Sequence, residues 1–146
     1  MLFNIGIVIL VFALMEFVAW FTHKYIMHGF LWVLHKDHHR VTGKFFQFND
    51  LFFVIFAVPS ILLFMMGAFS SYTRMGYAGL GILLYGIAYF IVHDVIIHQR
   101  IKWFRHTKNK YIAALRKGHK VHHKYLNKYD GECFGMLVVP RKYHKK

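Results

Sequence analysis

At 146 residues the chain has the size of one domain, and its 57% hydrophobic content and mean hydropathy of +0.35 exclude an ordinary soluble domain of this length. The formal net charge of +13, from 19 Lys and Arg against 6 Asp and Glu, indicates that basic segments alternate with apolar ones. The single cysteine, Cys133, excludes an intrachain disulfide and a cysteine-based zinc cluster. The composition therefore indicates an integral membrane protein.

Three apolar runs are long enough to cross a bilayer as helices, because a span needs about 20 residues. They cover residues 2–21, 51–69 and 76–92, and the third reaches full length only if it continues into HDVIIH. The link SSYTRMG is so short that the second and third runs should form an antiparallel hairpin. No basic segment or cleavage site marks the first run as a signal peptide, so we expect a retained span.

The sequence thus predicts an all-α fold, with one membrane-embedded domain covering residues 1–146. We expect three transmembrane spans, with a short fourth as the alternative, and a histidine-rich helical cap on the cytoplasmic side. No long linker or low-complexity segment divides the chain.

Basic residues predict the orientation of the spans. Four of them follow the first span: Lys24, Lys36, Arg40 and Lys44. Fourteen more lie from Arg100 onward, whereas the hairpin link has only Arg74. The positive-inside rule then places the first loop and the C-terminal tail in the cytoplasm and the N-terminus outside. We interpret the basic tail as a partner of anionic lipid rather than of nucleic acid, since no soluble binding domain is visible.

Ten of the twelve histidines fall into four clusters. Two clusters have the spacing H-x-x-x-x-H and two have H-x-x-H-H, and the two spacings alternate along the chain. The clustered histidines are His23, His28, His35, His38, His39, His93, His98, His119, His122 and His123. On the predicted topology, all four clusters meet at the cytoplasmic face of the membrane.

The spacings indicate metal binding. Residues three and four apart share one helix face, so each H-x-x-H-H cluster offers a face that can hold a metal. The members of an H-x-x-x-x-H pair lie about 140° apart on an ideal α-helix. They can share one tight centre only if the helix is distorted; otherwise they serve different metals or flank a pocket. Ten imidazoles exceed the four ligands of a structural zinc site, which indicates two metals.

One cluster alone would be typical of a polar anchor at the membrane interface. Four converging clusters without a ligand would leave many imidazoles desolvated at a cost in folding free energy, which favours a metal centre. Asp37 and Asp94 lie beside clustered histidines and either accept the second imidazole N–H or act as capping or solvated acids. Glu16 and Asp50 are weaker candidates for that role. The two unclustered histidines, His106 and His144, we interpret as surface residues.

Six stretches, HKYIMHG, LHKDHH, FQFNDL, YFIVHDVIIHQR, HKVHH and FGMLVVP, resemble the bacterial β-carotene hydroxylases in order and spacing. These enzymes are a group within the fatty acid hydroxylase and sterol desaturase superfamily of histidine-rich membrane di-iron proteins. The resemblance extends from about residue 16 to residue 140. It implies that the ten clustered histidines hold a non-haem centre of two iron ions, with no catalytic side chain beyond that centre.

The resemblance further implies a reaction and its partners. The expected reaction uses O2 to hydroxylate β-carotene at C3 and C3′ of its β-ionone rings, giving β-cryptoxanthin and then zeaxanthin. A ferredoxin-type protein is the expected electron donor, and the lipid of a bacterial inner (cytoplasmic) membrane the expected surroundings. It identifies no substrate-binding residue, because aromatic residues at span ends are more often interfacial belts.

The residues alone leave alternatives open. Imidazole binds iron, copper, nickel and zinc, so zinc can replace iron in a purified sample. On the same scaffold, a carotenoid ketolase or a fatty-acid or sterol hydroxylase or desaturase is the alternative function. From another class, the chain is a histidine-rich membrane metal-binding or transport protein. A transporter places ionisable residues along its spans, and Glu16 is the one acid within the predicted runs, which argues against transport.

Overall fold

A computed structural model describes residues 1–40 and 45–144. Within these ranges the chain is all-helical and contains no strand, as predicted. The α-helices in chain order are α1 (Leu2–Phe21), α2 (Trp32–His35), α3 (Leu51–Phe69), α4 (Thr73–Tyr89) and α5 (Lys110–His122). Three basic residues counted in the orientation argument lie outside the described ranges: Lys44, Lys145 and Lys146.

Three helical segments are long and apolar enough to cross a membrane: Leu2–Met27, Phe48–Phe69 and Thr73–Ile97. The number of predicted spans is therefore confirmed. The third begins at Thr73 rather than at residue 76, and it continues into HDVIIH as far as Ile97, the extension that its full length required. No fourth helix of that kind occurs in the described residues; α5 has 13 residues and one polar face.

The second and third spans form the predicted hairpin, and small residues let them approach closely. A Cβ atom added to Gly67 would overlap the backbone of Gly76, and one added to Gly79 would lie 2.8 Å from the carbonyl oxygen of Ser60. The Ser60 hydroxyl donates to the Gly79 carbonyl across 2.8 Å. Such contacts replace the hydrophobic effect as the force between helices in lipid. The first span packs on α4 through a core of Met15, Ala19 and Tyr85.

Two of the spans end in π-helix. Residues Thr22–Met27 continue α1, and residues Phe90–Ile97 continue α4. In each, the backbone N–H of the second histidine bonds the carbonyl of the first, His28 to His23 at 3.1 Å and His98 to His93 at 2.8 Å. This i-to-i+5 bond places the two side chains one above the other on the same helix face.

Candidate metal centre

Nine of the ten clustered histidines lie in two groups, each with one ligand nitrogen per residue within 4.8 Å of the others. The first group consists of His23, His28, His35, His39 and His122. The second group consists of His38, His93, His98 and His119. The tenth histidine, His123, lies between them, with its ring stacked 4.4 Å from that of His39 and its Nε2 atom 2.9 Å from that of His119. The four clusters therefore meet in space.

The π-helices keep both members of each H-x-x-x-x-H pair in one group. The rings of His23 and His28 are 5.2 Å apart, and those of His93 and His98 are 4.5 Å apart. The distortion that the spacing required is thus present. Both members of each pair therefore lie in the same group rather than in different groups.

Each H-x-x-H-H cluster contributes to both groups rather than to one. His35 and His39 are in the first group, with Nε2 atoms 3.1 Å apart, whereas His38 is in the second. In the other cluster His119 is in the second group and His122 in the first. In each cluster the middle histidine lies in a different group from the first, so the three imidazoles do not share one metal-binding face as expected. Each of the two H-x-x-H-H clusters therefore connects the two groups along the chain.

The hydrogen bonds of the imidazoles fix where their lone pairs point. In six of them, Nδ1 lies against an oxygen acceptor. The pairs are His23 with Phe134 O (2.9 Å), His28 with Leu126 O (3.1 Å), His35 with Asn49 Oδ1 (2.6 Å), His38 with Gln47 Oε1 (3.1 Å), His93 with Asp94 Oδ2 (3.3 Å) and His122 with Glu132 O (3.1 Å). These oxygens only accept, so Nδ1 carries the proton and Nε2 carries the lone pair.

The Nε2 atoms face one another in pairs. His23 faces His35 at 3.1 Å, His28 faces His122 at 3.2 Å, and His93 faces His38 at 3.0 Å. With Nδ1 protonated in all six rings, none of these contacts has a proton to share, so they are not hydrogen bonds. Burial lowers the pKa of His35 to about 3 and that of His122 to about 2, so neither ring gains a second proton at neutral pH.

A bound cation fits this arrangement. Metal–imidazole bonds of about 2.1 Å separate ligand nitrogens by up to about 4.2 Å, so groups within 4.8 Å need only small side-chain adjustments. Each Nδ1–H bond orients its ring, as outer partners of metal-bound histidines do. Five imidazoles in the first group exceed the four of structural zinc and suit a metal of higher coordination number.

The acidic candidates differ in position. Asp94 lies beside His93 and also accepts from Arg100 Nε across 3.0 Å. Asp37 instead accepts the backbone N–H of Phe48 at 2.6 Å, and no hydrogen bond joins it to an imidazole in the described part of the chain. Asp50 forms an ion pair with Arg100 at 2.9 Å. Glu16 forms no hydrogen bond with a described histidine.

Sequence reasoning missed three residues that support the groups. Asn49 and Gln47 accept from His35 and His38, and Arg100 also donates to Gln47 across 3.0 Å. The first two belong to the stretch FQFNDL, whose place next to a histidine cluster was the available signal. The backbone carbonyls that accept from His23, His28 and His122 could not be predicted from the sequence, because every residue has a carbonyl.

An apolar cavity of about 220 Å³ lies between the three spans and reaches the first histidine group. Its lining includes His23 and Asn49 together with the apolar side chains of Met15, Phe56 and Ile82. Four further lining residues, Phe53, Ile61, Leu83 and Ile87, are 43–55% exposed on the outer surface of α3 and α4. The cavity therefore opens sideways, toward the lipid. Aromatic residues that pack against the histidines also line it: Phe52, Tyr89 and Phe134.

Known proteins share this chain's sequence over most of its length. A protein from Pseudescherichia vulneris named beta-carotene hydroxylase is 38% identical over 95% of this chain and 78% of its own. One of the same name from Pantoea ananas is 41% identical over 86% of this chain and 71% of its own, and one from Paracoccus sp. (strain PC1) is 35% identical over 92% and 83%. No solved structure matches the chain.

Residues 8–140 match the family described as fatty acid hydroxylase. This range contains every clustered histidine, both π-helices, the second and third spans, and the first span from residue 8 onward. The match and the three relatives agree with the resemblance noted in the sequence. The chain belongs to the fatty acid hydroxylase family and is a membrane hydroxylase.

Proposed function

We propose that this enzyme hydroxylates β-carotene at C3 and C3′, giving β-cryptoxanthin and then zeaxanthin, with two iron ions held by the ten clustered histidines. The observation that carries the proposal is the pair of histidine groups, whose Nε2 lone pairs converge beside a lipid-facing apolar cavity. The names of the relatives from three bacterial genera support β-carotene as the substrate.

Different residues of the chain have different roles in the proposed reaction. The first group would hold one iron ion and the second group the other, with His123 placed to reach either. When bound, the metal supplies the activation of O2 that an unactivated C–H bond requires, since acid–base groups cannot break such a bond. Asn49, Gln47 and Asp94 keep the proton of their imidazoles on Nδ1, so Nε2 stays available.

The cavity suits one end of a long polyene. Its lining is mostly apolar, and a β-ionone ring carries no polar group that would need a partner there. At about 220 Å³ the cavity is too small for the entire carotenoid, so the rest of the chain extends into the bilayer. The two rings are therefore hydroxylated in separate binding events, which explains a mono-hydroxylated intermediate.

The proposal includes the surroundings of the enzyme. The reaction needs electrons, which we assign to a ferredoxin-type carrier. We place the chain in a bacterial inner membrane, with the N-terminus outside and the histidine groups on the cytoplasmic side. The basic residues after the first span and in the tail support this orientation.

Pigment analysis in a bacterium that accumulates β-carotene tests the proposal. We expect the chain to convert β-carotene to β-cryptoxanthin and zeaxanthin. His122→Ala removes a fully buried ring of the first group and should abolish conversion, as should His38→Ala in the second. His144→Ala, at an exposed position outside both groups, should leave it intact.

Two other products would overturn parts of the proposal. A 4-keto carotenoid would keep the scaffold and refute the regiochemistry. Unchanged β-carotene together with an oxidised acyl lipid or sterol would refute the substrate.

A further inference from the structure

Glu16 lies inside the first span and accepts four hydrogen bonds. Its Oε1 atom accepts from the backbone N–H groups of Met136 (2.9 Å), Leu137 (2.9 Å) and Val138 (3.1 Å). Its Oε2 atom accepts from the Tyr85 hydroxyl across 2.7 Å. All four partners are donors, so both oxygens act as acceptors, and three of the four bonds lead to one segment of the C-terminal region.

That segment also bonds the first histidine group. Just before the three N–H groups, the carbonyl of Phe134 accepts from Nδ1 of His23 and the carbonyl of Glu132 accepts from Nδ1 of His122. The Phe134 ring is 3% exposed and packs 4.9 Å from the ring of His122. A continuous connection therefore runs from Glu16 through residues 132–138 to two imidazoles of one group.

Gly135 shows how closely the segment approaches the carboxylate. A Cβ atom at this position would lie 2.7 Å from Glu16 Oε1, which is closer than a carbon and an oxygen pack. A side chain here would displace either the carboxylate or the segment, and either shift would weaken the hydrogen bonds between them. Substitution at residue 135 is therefore a second way to separate the segment from Glu16.

We propose that Glu16 is a positioning residue for the first histidine group: it holds the segment 132–138 so that two carbonyls keep the protons of His23 and His122 on Nδ1. The consequence for metal binding rests on the proposed metal centre, but the proton positions are a property of the metal-free chain. Without an acceptor at residue 16, the backbone N–H groups of Met136, Leu137 and Val138 lose their partner and the segment moves to find another.

Imidazole ¹⁵N NMR of the full, metal-free chain in detergent micelles tests the inference, because the nitrogen shift separates protonated from unprotonated ring nitrogens. In the wild type, His23 and His122 should be protonated on Nδ1. In Glu16→Ala and in Gly135→Ala both should lose this single tautomer. His35 and His38, whose partners are side-chain amides, should keep theirs and serve as internal controls.

Two further variants separate positioning from a general loss of packing. Glu16→Gln can still accept the three N–H groups through its oxygen and donate to the Tyr85 oxygen, so it should keep the wild-type tautomers. Gly67→Ala disturbs the hairpin at the end far from the histidines and should lower thermal stability without changing any tautomer. Unchanged His23 and His122 tautomers in Glu16→Ala would overturn the inference.

Binding of zinc alone distinguishes this inference from the proposed function. We expect two zinc ions per chain in the wild type, Glu16→Gln and Gly67→Ala, and one in Glu16→Ala. A wild type that binds no zinc, but whose tautomers respond to Glu16→Ala as described, would refute the metal centre and support the positioning role. Retention of both zinc ions with wild-type affinity in Glu16→Ala would overturn the positioning role of Glu16.

Discussion

Nδ1 of His35 donates to Oδ1 of Asn49 across 2.6 Å, and both side chains are buried. The amide oxygen keeps the proton on Nδ1, so the Nε2 lone pair of His35 faces the first group. Asn49→Ala should therefore weaken metal binding at that group by about 10–100-fold, as losses of such outer partners do. Competition with a fluorescent zinc chelator measures the change. Asn4→Ala, at the opposite end of the first span, is the control, and equal affinities of the two variants would contradict the role of Asn49.

The end of the first π-helix requires a glycine. A Cβ atom at Gly29 would overlap the carbonyl oxygen of Tyr25, so Gly29→Ala must displace the chain next to His28. We expect this variant to lose one bound metal and most of its hydroxylase activity. Gly6→Ala is the matched control, because nothing lies within 4 Å of a Cβ atom there and alanine favours a helix by about 0.5–1 kcal/mol. Full metal content in Gly29→Ala would show that the π-helix tolerates the displacement.

The number of spans could be predicted from the sequence, because hydropathy identifies the segments that are apolar enough to lie in lipid, where a helix satisfies its own backbone polar groups. The convergence of the histidines followed from topology. The π-helices did not follow, because the spacing of His23 and His28 shows only that an α-helix fails, not which hydrogen-bond register replaces it. The second π-helix carries the third span into HDVIIH as far as Ile97.

The division of the histidines into groups was also beyond the sequence. His38 and His39 are neighbours in the chain but belong to different groups, because the His38 ring packs against His93 and His98 whereas the His39 ring packs against His28 and His35. The hydrogen-bond partners of the imidazole rings were only partly predictable from the sequence. Asn49 belongs to a stretch that the resemblance singled out, whereas the carbonyl of Phe134 reaches His23 across 111 residues of sequence.

The cavity gives a test of substrate binding that leaves the metal ligands untouched. Gly86 lines the cavity, and a Cβ atom there meets nothing within 4 Å, so Gly86→Leu should fill space that the β-ionone ring needs. We expect turnover of β-carotene at subsaturating concentration to fall by at least about tenfold, with metal content unchanged. Gly6→Leu is the control for an added apolar side chain on a span. Wild-type turnover in Gly86→Leu would remove the cavity from the substrate's path.

Cysteine labelling tests the orientation in the membrane. Burial raises the pKa of the half-buried Cys133 thiol to about 11, so it should react slowly with maleimides. In a Cys133→Ala background we therefore place single cysteines at two exposed positions, Tyr129→Cys near the histidines and Ser71→Cys in the hairpin link. In intact cells an impermeant maleimide should label only the cysteine at residue 71. Labelling of residue 129 instead would reverse the orientation.

The origin of the inserted oxygen tests the central claim most directly. Cells that express the chain and make β-carotene are grown under ¹⁸O2 in unlabelled water, and the carotenoids are analysed by mass spectrometry. The proposed O2-dependent hydroxylation predicts one ¹⁸O atom on each ring of zeaxanthin and one in β-cryptoxanthin, with no product under anaerobic conditions. Hydroxyl oxygens that come from water, or zeaxanthin formed without O2, would contradict it.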